Sequence, residues 1–161
     1  MKPILAALPA ALLAAPLLGP ARAEEVRAGT LVVNGAFSRA VAGAGVPGVA
    51  YLQIRNAGAG PDRLLSASTP AAGQVSLHAN MRDGGVMRMR TLTGVDVPAG
   101  ATVAFSPDGR LHLMLEDLRA PLRAGDAITL TLRFERAGDV QVALPVARPG
   151  ASAPPEPGQG P

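Results

Sequence analysis

The chain has 161 residues and no cysteine, which excludes thiolate metal sites, disulfide staples and thiol redox chemistry. Fifteen basic residues stand against 12 acidic ones, and Lys2 and Arg22 fall in a leader that reads as removable, so the remaining chain is close to neutral. Near-neutrality, with only three Phe and one Tyr, excludes a nucleic-acid surface built from basic and stacking side chains.

The leader comes first. Met1-Lys2 is a short basic start, Ile4 to Leu18 is almost all Ala, Leu and Pro, and Ala21-Arg22-Ala23 is a small-x-small cleavage signal. Residues 1–23 are therefore expected to be a cleaved signal peptide that sends the protein to the periplasm, with an uncleaved anchor as the alternative. The apolar run is broken by Pro9 and Pro16 and is short of the roughly 20 residues a membrane helix needs. No later segment is apolar enough to span a bilayer.

Residues 24–147 read as a single all-β domain. Apolar and β-branched residues alternate with polar ones in short runs, the pattern of half-buried strands. The expected strands are Thr30–Val33, Ala50–Arg55, Arg63–Ala67, Val75–His78, Val86–Thr91, Thr102–Phe105, Leu111–Leu115, Ala127–Phe134 and Val140–Val146. Turn residues separate them, as at Asp83-Gly84-Gly85, Pro98-Ala99-Gly100 and Pro107-Asp108-Gly109. So many short strands predict an antiparallel sandwich or barrel. Residues 148–161 are a tail of Pro, Gly, Ala and Ser that cannot bury apolar surface and is expected to be disordered.

The chemistry is concentrated. After the leader, the histidines are His78 and His112 and the methionines are Met81, Met87, Met89 and Met114, all between positions 78 and 114. Strand alternation puts Leu111, Leu113 and Leu115 on one face and His112 and Met114 on the other. Met87 and Met89 share a face, with Val86, Arg88 and Arg90 opposite, and His78 has the parity opposite to Val75 and Leu77. Each residue alone has an ordinary reading: a strand Met is usually core filler, and His78 could be a solvated turn residue. Together they offer imidazole and thioether donors off the leucine face. Neutral soft thioethers and borderline imidazoles suit Cu(I) better than Mg, Ca or Mn, which prefer oxygen, or structural Zn, which usually recruits Cys or carboxylate. Whether Met81 or Met87 also ligates is left open.

With its context, this arrangement resembles the PCu(A)C family of periplasmic copper chaperones, whose motif is a His, ten residues, a Met, about twenty-one residues and His-x-Met. Here ten residues separate His78 from Met89 and 22 separate Met89 from His112-Leu113-Met114. The extra residue is assigned to the turns around Pro98 or Pro107. Ala50-Tyr51-Leu52-Gln53-Ile54, Gly85-Val86-Met87-Arg88-Met89-Arg90 and Pro121-Leu122-Arg123-Ala124-Gly125-Asp126 also resemble the family. The resemblance implies a cupredoxin-like antiparallel β-sandwich of Greek-key type. It implies Cu(I) held by His78, Met89, His112 and Met114, and a non-enzymatic role. It further implies delivery to cytochrome c oxidase assembly, at the apo CuA subunit or through a Sco-type thiol protein. The alternative is copper scavenging and storage for tolerance. The tail has no His or Met, which puts a second, Cu(II)-type site in doubt. An electron-transfer blue-copper site needs a Cys thiolate, and no nucleophile-elbow pattern supports a hydrolase built on His78 or His112.

Overall fold

The computed structural model describes residues 25–155. The expected signal peptide and residues 156–161 of the tail lie outside them. Eleven strands are present among the described residues: β1 Val26–Ala28, β2 Leu31–Arg39, β3 Gly48–Asn56, β4 Asp62–Ser68, β5 Ala72–Asp83, β6 Val86–Leu92, β7 Val95–Val97, β8 Thr102–Phe105, β9 Leu111–Leu118, β10 Ala127–Phe134 and β11 Gly138–Ala147. No helix among these residues is long and apolar enough to cross a membrane.

The strands form two layers. The first runs β6-β5-β9, continues through β8 and β3 to β2, and carries β1 beyond β2; β9 also pairs directly with the start of β3. The second is β11-β10-β4-β7. Strand β11 joins them: it runs antiparallel to β10 over most of its length, and its last residues, Val146 and Ala147, lie parallel to Ser38 and Arg39 of β2. Facing side chains fuse into one core, in which Leu31, Ile54, Leu113 and Leu115 of the first layer join Leu64, Leu130, Leu132 and Leu144 of the second. Full burial of each such leucine contributes about 1.5–3 kcal/mol. This is the expected β-sandwich, with two departures from purely antiparallel pairing, at β11–β2 and at the single pair Phe105–Leu111 between β8 and β9.

Two further differences bear on the site. Strand β5 was expected to end at His78 but continues to Asp83, so His78 is mid-strand. Beyond His78 the strand pairs with β6 through Asp83, opposite Val86. The hairpin closes at Gly84-Gly85, with φ of 56° and 86°, the two left-handed positions of a type I′ turn, which only glycine occupies without strain. Strands β1 and β7 have three residues each, too few to show a period.

The outer face of the first layer is not uniformly polar. A register shift between Asn34 and Phe37, with Gly35 at φ 60°, reverses the alternation of β2. Ala36 stays in the core while Phe37 turns outward onto Tyr51, with ring centroids 5.2 Å apart. The disorder expected from residue 148 does not begin there. Ala151 packs on the Phe37–Tyr51–Ala147 cluster, and Arg39 Nε donates to the Ala151 carbonyl at 2.8 Å, with its guanidinium over the Tyr51 ring.

Candidate metal centre

The site is built on β5 and β9. On β9, Leu113 and Leu115 are fully buried in the core, and this anchors the strand so that His112 and Met114 point to the opposite face. On β5, Leu77 is buried in the same core, which turns Ser76, His78 and Asn80 outward. The register then decides the rest: His78 lies opposite His112, and Ser76 opposite Met114. Directly opposed residues of an antiparallel pair share a face. The two imidazoles are stacked, with centroids 5.7 Å apart and planes 15° from parallel.

Their hydrogen bonding distinguishes the nitrogens of His78. Nε2 lies 2.8 Å from Ser76 Oγ. Nδ1 is buried and has no hydrogen-bond partner. A buried imidazole nitrogen without a partner is costly unless something else uses its lone pair. In the tautomer whose Nε2–H donates to the Ser76 hydroxyl, Nδ1 is unprotonated and a competent metal ligand. Ser76 was not singled out from the sequence; the signal was the spacing Ser76-x-His78, which places both on one strand face.

His112 is 8% exposed. Burial lowers its pKa below the ordinary 6.5, and a second positive charge on His78 would lower it further. His112 therefore favours the neutral ring, the state in which imidazole binds metal.

The thioethers separate by face. Met89 lies opposite Asn80, diagonal to His78 on the outer face. Met114 is half-buried beside Val49, its partner on β3. Met87, opposite Arg82, shares the outer face one step further along the hairpin. Met81 pairs with Arg88 and follows the parity of Leu77 and Ala79, so it faces away from the histidines. Thus His78, His112, Met114 and Met89 lie on one sheet face across three adjacent strands, and Met81 is excluded. Met87 and Met89 are 59% and 55% exposed, so this side of the centre is open. Among the described residues no group of three or more His, Cys, Asp or Glu could hold a metal. The imidazole pair and the thioethers on that face make a donor set that fits a soft monovalent ion.

The fold is that of a PCuAC-type domain. The apo PmoF2 PCuAC domain is 25% identical and superimposes with a TM-score of 0.67 over 80% of this chain and 98% of that one. The Cu(I) form of DR1885 from Deinococcus radiodurans is 27% identical, with a TM-score of 0.60 over 80% of this chain and 83% of that one. The chain belongs to the LpqE-like family, described as putative lipoprotein LpqE-like, which matches residues 31–146. A curated relative, putative lipoprotein Lxx21020 of Leifsonia xyli subsp. xyli, is 37% identical over 106 residues. That match spans 65% of this chain and 63% of the relative.

Proposed function

We propose that this protein binds Cu(I) through His78, His112, Met89 and Met114 and acts as a periplasmic metallochaperone. The carrying observation is the stacked imidazole pair with a buried, partnerless Nδ1, beside thioethers on the same face. Cu(I) is cargo in this reading, and the chain has no catalytic role. Similarity to a domain solved with Cu(I) supports the choice of metal. The leader Met1–Ala23 supports export, as does a relative described as a putative lipoprotein.

The proposed acceptor is the apo CuA subunit of cytochrome c oxidase or a Sco-type thiol protein. Their thiolates are stronger Cu(I) ligands than thioethers, and the exposed Met89 side of the centre admits a second set of ligands before the first has left. The competing reading is storage for copper tolerance. The Cu(I)-loaded protein should be mixed with apo acceptor and the transfer rate followed against acceptor concentration. A rate that rises with acceptor concentration supports handover. A rate fixed at that of spontaneous dissociation favours storage.

A further inference from the structure

Strand β6 ends the first layer: it pairs with β5 and has no strand on its other side among the described residues. The hairpin register states which backbone groups it leaves open. The two-residue type I′ turn makes Asp83 and Val86 a hydrogen-bonded closing pair. Alternation then makes Met81–Arg88 and Ala79–Arg90 hydrogen-bonded, and Arg82–Met87, Asn80–Met89 and His78–Thr91 non-hydrogen-bonded. An independent contact agrees, since the Asn80 amide donates away from β6, to the Arg110 carbonyl at 2.7 Å. The amides and carbonyls of Met87, Met89 and Thr91 therefore point out of the sheet edge.

Those three residues also carry their side chains on the metal face, while Arg88 and Arg90 project from the other face. An edge of this length is a template for another strand. Its charge selects which strand. The hairpin carries Arg82, Arg88 and Arg90 against Asp83, whose 3.8 Å contact with Arg88 is between highly exposed groups and worth little. Pairing with a second copy in the register that engages the whole of β6 would set Met89 against Met89 and Arg88 against Arg90, twice. Like charges directly opposed destabilise a sheet, so the edge resists self-association.

We infer that β6 is a docking edge for an extended acidic segment of a partner protein, added as an extra strand on the backbone of Met87, Met89 and Thr91. Strand alternation places that segment's acidic side chains beside Arg88 and Arg90 and its intervening residues over Met87 and Met89. Main-chain bonds give the affinity, and the arginines select an acidic strand. The inference extends the metallochaperone reading, but docking needs no copper and is tested on metal-free protein, so either can fail alone.

The probe is a blocked peptide of about eight residues alternating Glu and Met, with a Lys–Met peptide as control. Amide hydrogen exchange is read residue by residue. Saturating Glu–Met peptide should slow the Met87, Met89 and Thr91 amides by about tenfold or more, leave Arg88 and Arg90 little changed, and do so less at high salt. The Lys–Met peptide should not protect them. Met87→Pro removes one outward donor without touching the β5 ladder and should weaken peptide binding. Unprotected outer amides, equal protection by both peptides, or protection that grows with protein concentration alone would overturn the inference, the last by showing a second copy on the edge. Should Met87→Pro not fold, the exchange pattern of the unaltered protein decides.

Discussion

At the residue scale, the donors contribute unequally and can be separated by conservative substitutions. Met114→Leu and Met89→Leu keep volume and apolarity, so each should cost less than about 1.5 kcal/mol of stability. Each should lower Cu(I) affinity clearly, whereas Met81→Leu should leave it near that of the unaltered protein, because Met81 lies on the other face. Competition with a Cu(I) chelator measures this; equal affinities for all three variants would mean the methionines only pack. Ser76→Ala removes the group beside His78 Nε2, 2.8 Å away. Loss of that orientation should weaken Cu(I) binding by about tenfold, the low end of the effect of removing a ligand's supporting contact.

The same scale sets the pH response. The pKa of His112 is lowered in the folded protein, so between 6.5 and that lower value the unfolded chain binds more protons than the native state. Its contribution is fully present above 6.5 and is lost as pH falls through the folded value. Metal-free protein should lose stability on acidification from neutral pH, and His112→Gln should flatten that slope in denaturant titrations. Cu(I) affinity should fall over the same range, since protons compete for imidazole but not for thioether. An affinity constant from pH 5 to 8, roughly the range in which histidine titrates, would remove both histidines from the ligand set.

At the scale of elements, the β5–β6 hairpin brings Met89 to the histidines, and its turn holds the register. Gly85 has φ 86°, so Gly85→Val forces a β-branched residue into a left-handed position. The cost should be of the order of 1–3 kcal/mol. Because the hairpin tip is exposed, that cost should appear as local fraying, with faster amide exchange at Arg88 and Arg90 and weaker Cu(I) binding. The core strands should be protected as before. Loss of global cooperativity in this variant would contradict the view that the hairpin is an appendage on a separately stable sandwich.

At the scale of the whole molecule, the outer face of the first layer is divided between the metal centre and an apolar patch of Phe37 and Tyr51 roofed by Ala151. Arg39→Ala removes the bond to the Ala151 carbonyl and the cation over Tyr51. It should destabilise by about 1 kcal/mol and leave Cu(I) affinity unaltered. A marked loss of affinity in this variant would show that the tail and the centre are coupled.

Much of this protein was legible in its residues because strand period is local information. Alternation along Leu111–Leu115 placed His112 and Met114 on one face, and alternation along Val86–Arg90 paired Met87 with Met89. Both assignments hold: two buried leucines of β9 admit a single facing, and Met87 and Met89 lie opposite Arg82 and Asn80 on one face of the β5–β6 hairpin. The absence of cysteine excluded thiolate sites outright. What period cannot state is which strands are neighbours and in what register. Whether Met81 shares the histidine face depends on β5 running on to Asp83, and whether Met87 does depends on the pairing of β5 with β6, which the Gly84-Gly85 turn sets. The facing of His78 and His112, the use of Nε2 by Ser76 and the enclosure of His112 depend on the β5–β9 register. That register joins segments more than 30 residues apart in the chain, and it is set by the leucines of both strands meeting in one core. The donors are therefore a property of the sequence, while their assembly into one centre is a property of the tertiary structure, since only a packed core fixes how distant strands align.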